Sequence, residues 1–148
     1  MATTQDADLI IKLYDLRREK TMRKARSFVI TQFFPKNVDD VKALFQDRNH
    51  PEYNAYFRQV TSYWDMVAAM VNHGAIDREL FFDTNGEYLA IWAKFDEFIA
   101  DCRGFLGPNF LRNLEKLVAS YPDREQRISD LKERFKRLAA IHAENEKK

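Results

Sequence analysis

The sequence predicts an all-α protein, an irregular bundle of about five to seven helices. Three observations carry that expectation. Gly and Pro number only four each in 148 residues, too little turn punctuation for an all-β chain of this size. The stretches between these breakers are rich in Leu, Ala, Lys, Arg and Glu, which favour helix. Within those stretches, apolar residues recur at spacings of three and four.

The elements follow from the breakers in order. A first helix is expected over about Asp6 to Phe34, with Leu9, Ile10, Leu13 and Leu16 in one stripe and Met22, Ala25, Val29 and Phe33 in another. Its middle, from Arg17 to Arg26, is so charged that a bend or a departure from the core is expected there. A short helix over Val38 to Asp47 turns Val41, Leu44 and Phe45 inward. The third spans Pro51 to His73, where Tyr53, Phe57, Val60, Trp64, Val67 and Val71 make a broad apolar face. A face that wide marks a well-buried helix. Gly74 stands where a left-handed C-terminal stop belongs.

A short fourth helix, Asp77 to Phe82, takes Asp77 as its N-cap. The fifth, about Asn85 to Arg103, places Tyr88, Ile91, Trp92, Phe95, Phe98, Ile99 and Cys102 on one face and Lys94, Glu97 and Asp101 on the other. Gly107-Pro108 opens a sixth, with Phe110, Leu111, Leu114, Leu117 and Val118 inward. Pro122 to about Glu144 is the last, with a narrow stripe of Ile128, Leu131, Phe135, Leu138 and His142 that resembles a coiled-coil seam. Three starts, Asn49 to Glu52, Thr84 to Glu87 and Ser120 to Asp123, set a capping side chain three residues before a carboxylate, the spacing of a capping box. No internal repeat or low-complexity linker divides the chain, so one domain, 1–148, is expected. The bundle should centre on the third and fifth helices, with Phe57, Trp64, Trp92 and Phe95 in its core.

Bulk composition narrows the function classes. With 24 basic and 23 acidic residues, no global field steers the chain onto nucleic acid or a membrane surface. A single cysteine, Cys102, excludes an internal disulfide. The N-terminus MATTQDAD lacks the basic and apolar regions of a signal peptide. The longest apolar run, Met66 to Val71, falls far short of the roughly 20 residues a membrane span needs. A cytoplasmic location is expected.

Few motifs speak of chemistry. Phe82-Asp83-Thr84-Asn85-Gly86-Glu87-Tyr88 looks like half of a calcium loop. Placing Gly86 at position 6 puts Asp83 and Asn85 at positions 3 and 5, but Phe81 falls at 1 and Trp92 at 12, where ligands are required. A helix start explains the stretch without exceptions. None of His50, His73 and His142 follows a Glu by three, so the di-iron pattern is absent. There is no HExxH, no Cys pair for zinc and no phosphate or dinucleotide loop. Gly104-Phe105-Leu106-Gly107 matches neither. No metal or cofactor is expected, and no catalytic residue stands out.

Two candidate sites remain. The run Arg17, Arg18, Lys20, Arg23, Lys24 and Arg26 could meet phosphates. On one helix those cations spread round the circumference, and no base-stacking aromatics interleave, so a solvated, partner-facing helix is the competing account. Asp65, His73 and Asp77 could together form a pocket, with His73 and Asp77 as a base and its orienting group. Against this, a His at a helix C-terminus answers the dipole, and Asp65 inside an apolar helix reads as a solvent-facing or Arg-paired carboxylate. Cys102, on the apolar face, reads as an inert buried thiol.

The stretch Tyr63-Trp64-Asp65-Met66-Val67-Ala68, followed by Gly74-Ala75-Ile76-Asp77, Leu80, Gly86, Trp92 and Arg103, resembles an uncharacterised bacterial all-helical family, a domain of unknown function. The resemblance covers about Ser62 to Arg103. It implies an all-helical domain and assigns no catalytic residue. Many relatives carry an N-terminal membrane segment that this chain does not show. The expected function is therefore that of a bacterial interaction domain rather than an enzyme, with a protein partner. That partner includes the possibility of self-association through the first or last helix. A nucleic-acid accessory protein using the basic first helix, and a small-ligand binder or enzyme near Asp65, His73 and Asp77, are the rivals.

Overall fold

A computed structural model describes residues 1–148. Nine α-helices and one 3-10 turn run along the chain, with no strand. They are α1 (Thr4–Arg18), α2 (Lys20–Thr31), α3 (Val38–Gln46), α4 (Glu52–Asn72), α5 (Arg78–Thr84), α6 (Glu87–Phe95), the turn Asp96–Phe98, α7 (Ile99–Leu106), α8 (Arg112–Ala119) and α9 (Arg124–Glu146). The all-α bundle is as expected. Its helix number exceeds seven because two expected helices are each broken in two.

The first break is at Glu19. Its backbone is extended (φ −57°, ψ 143°), and its carboxylate accepts from the amides of Thr21 and Met22, so it caps α2. A residue that can satisfy the orphan amides of a new helix competes with continuing the old one. The break re-aims α2, which then buries Met22, Ala25, Phe28 and Val29. The second break follows Phe95. Asp96 and Glu97 there bind Lys132 of α9 at 2.8 and 3.0 Å.

α4 is the axis of the bundle, flanked by α2 and α8. α6 is buried along its whole length, every residue from Tyr88 to Phe95 included. Phe57, Trp64, Trp92 and Phe95 all lie in the core. α9 lies across α6 and α2. Gly74 adopts the left-handed stop at φ 80°, and Asp77 caps α5 through the Leu80 amide at 2.9 Å.

The three expected capping boxes do not form. Asp47, not Asn49, takes the loop amides before α4. Thr84 turns back to the Leu80 carbonyl, and Ser120 to that of Leu117. Glu87 is claimed by partners far along the chain. A box does form at α1, where Thr3 and Asp6 bond reciprocally. Local spacing allows a cap, but a stronger tertiary partner for the same side chain takes it away. No helix is long and apolar enough to cross a membrane.

Candidate functional site

The basic run is divided by the break at Glu19. Arg26 points inward and grips Glu87 with Nε and Nη2, at 2.9 to 3.1 Å. The indole N–H of Trp64 donates to the same carboxylate at 2.9 Å. Arg17 lies 5.1 Å from the Trp64 ring, with Nη1 on the Asn85 side chain at 3.4 Å. Two of the six cations thus belong to a polar knot joining α1, α2, α4 and α6. The charge-assisted bonds to Glu87 raise the Arg26 pKa further above its already high value, against the opposing effect of burial. Arg18, Lys20, Arg23 and Lys24 remain exposed.

Asp65, His73 and Asp77 do not share a cavity. Asp65 is half-buried and reaches α8, where it accepts from the Leu114 amide at 2.9 Å and the Asn113 side chain at 3.0 Å. It caps α8 from another helix. That corrects the expectation of a solvent-facing or Arg-paired acid. His73 is exposed at the end of α4. Asp77 faces the N-terminus, 3.9 Å from the Met1 amine, and Asp6 accepts from its backbone amide at 3.0 Å. No three His, Cys, Asp or Glu side chains gather to hold a metal ion. Cys102 is fully buried, and burial raises its thiol to about 11, so little nucleophilic thiolate forms near neutrality.

A site that sequence reasoning missed centres on Lys94. Helical phase assigns it to the solvent side of its helix. In the structure it is 6% exposed. Because α6 is covered on all sides, no solvent face exists, and α9 lies where one was expected. The signal was available: in Tyr88-Leu89-Ala90-Ile91-Trp92-Ala93-Lys94-Phe95 only Lys94 is charged, and a helix apolar all round is buried.

The Lys94 ammonium donates to the Phe33 carbonyl at 2.7 Å. It sits 4.2 Å from the ring centroids of both Phe34 and Phe135, a cation between two π faces. Burial pushes its pKa down to about 7; the carbonyl and the rings act in the opposite direction, favouring the ammonium. A cavity of about 350 Å³ adjoins it, lined by Phe34, Pro35, Phe98 and Phe135, with Lys36, Lys132 and Lys136.

The outer surface carries a second feature. α1 buries only Asp6 and Leu13, and leaves Ile11 60%, Tyr14 54% and Leu16 55% exposed. The α9 stripe is used within the molecule: Leu131 is buried, and Ile128 and Phe135 pack against the core.

Comparison with known proteins speaks to the family. Residues 2–121 match the family described as "Domain of unknown function (DUF4760)". The matched span contains the stretch Ser62 to Arg103 and extends it over α1 to α8, leaving α9 outside. No curated protein matches the chain, and no solved structure does.

Proposed function

We propose that this chain, which belongs to the family of unknown function DUF4760, is a bacterial interaction domain of the cytoplasm rather than an enzyme, and that its partner surface is α1. One observation carries the reading. In a molecule whose large aromatics are mostly interior, α1 holds Ile11 and Tyr14 out to solvent. At 100° per residue, Ile11, Tyr14 and Arg18 fall within about 60° of arc, turned at least about 100° away from the buried Leu13. Anchors at i, i+3 and i+7 are the pattern of a helix that docks against a partner.

The occupant is a second copy of the chain. Of the charges on α1, Asp8 near its start and Arg18 at its end are exposed, whereas Asp6 and Arg17 are held within the fold. Antiparallel pairing of two α1 helices sets each acidic end against a basic end, and the apolar row between them is self-complementary, as a two-fold interface requires. Arg18 and Arg17 lie 5.7 and 6.0 Å from the Tyr14 ring centroid, which supports the ring in its outward position.

Sedimentation equilibrium over a concentration series tests this. The wild type is expected to show a concentration-dependent dimer, and a double change, Ile11→Glu with Tyr14→Glu, a monomer with unchanged helix content. A wild type that stays monomeric at every concentration refutes self-association. Retention of the protein on nucleic acid, lost steeply with salt and abolished by reversing Arg18, Lys20, Arg23 and Lys24, would favour the nucleic-acid reading instead.

A further inference from the structure

We propose that Lys94 anchors the anionic end of a small amphipathic carboxylate whose apolar part fills the adjoining cavity. The inference stands apart from the α1 surface and from self-association. It starts from an imbalance. A buried charge is normally met by an opposite one, yet no carboxylate lies within 4.0 Å of Lys94 among the ion pairs of the fold. The two acids lining the same cavity, Asp96 and Glu97, are both taken by Lys132. Lys94 has three N–H groups. One meets the Phe33 carbonyl; the others face only ring π clouds.

The cavity itself selects the ligand. Its volume of about 350 Å³ falls within the range of small-molecule sites. Phe34, Phe98 and Phe135 supply apolar walls, and the exposed Lys36 lines the same cavity, as do Lys132 and Lys136, which are paired with acids. A single buried donor suits a carboxylate monoanion. A phosphate dianion would need the several free backbone and side-chain donors that phosphate sites converge, whereas two of the four lysines lining this cavity, Lys132 and Lys136, are already paired with carboxylates. A carboxylate on Lys94 would complete the missing ion pair while its apolar tail covers the rings.

Octanoate and its neutral twin octan-1-ol, titrated calorimetrically into the full chain, test the proposal. The wild type should bind octanoate at least about tenfold more tightly than octanol, the scale of one charge-assisted hydrogen bond. Lys94→Met should bind both alike, with octanol affinity preserved. Ala139→Trp, which places an indole in the cavity from α9, should weaken both ligands by about tenfold or more, and serves even if Lys94→Met does not fold. Equal binding of octanoate and octanol to the wild type, a preference that persists in Lys94→Met, or octanoate affinity untouched by Ala139→Trp, each overturns the proposal.

Discussion

Lys94 and Glu87 show what single side chains do when the fold encloses them. An unfolded lysine holds its proton up to its ordinary pKa of 10.5, whereas in the fold burial lowers that pKa to about 7. Between those values the unfolded chain binds more protons, so stability rises with pH across the window; below about pH 7 the penalty is fully present. The slope approaches about 1.4 kcal/mol per pH unit for one proton. Thermal melts of the wild type and Lys94→Met from pH 6 to 10 should therefore shift in the wild type's favour as pH rises. A constant difference would mean the lysine keeps its proton between the rings. Glu87 has the opposite environment, with Arg26 and Trp64 both on its carboxylate. Its side chain is 14% exposed, and that of Arg26 is 24% exposed. Glu87→Gln leaves the guanidinium without its counter-charge and should cost about 3 kcal/mol, visible as a lower urea midpoint at unchanged slope.

At the scale of elements, helix ends are set by contacts between helices as much as within them. α8 begins after Leu111, whose backbone is left-handed at φ 54°, an uncommon state for a non-glycine residue. Leu111 is itself buried, and its packing holds the turn. Asp65 then supplies the cap that no local residue gives. Asp65→Ala should cost about 1 to 2 kcal/mol, and Asp65→Asn, which keeps an acceptor for the Leu114 amide, clearly less; equal losses would remove the capping role. Leu131 is the sole buried residue of α9, so Leu131→Ala should cost about 3 kcal/mol and make the stretch beyond Asp123 the first site of limited proteolysis.

Over the whole molecule, one apolar cluster runs from Leu13 in α1 to Leu131 in α9. Tyr63 of α4 reinforces it by donating to the Leu13 carbonyl at 2.7 Å. A continuous core of this kind should unfold in one step. Helix signal by circular dichroism and fluorescence from Trp64 in α4 and Trp92 in α6 should give superimposable urea curves. Separate transitions would show that the chain holds two folding units, with α9 the first to leave.

The sequence by itself determined the helical class, the order of the elements, the stop at Gly74, the cap at Asp77 and the four core aromatics. These are local or periodic properties: breaker residues and the 3.6-residue repeat report them without knowledge of neighbours. Tertiary structure alone decided the ends of the helices and the use of polar residues. Glu19 could continue a helix or cap the next, and the burial of Met22, Ala25, Phe28 and Val29 accompanies the second choice. Glu87 could close a box with Thr84, but Arg26, 61 residues away, offers a charge-assisted pair that a local hydroxyl cannot match. Lys94 reads as solvent-facing until α9 is laid over it. Helical phase says which residues share a face; it does not say what covers that face, and burial, pKa and a ligand's access all follow from the covering.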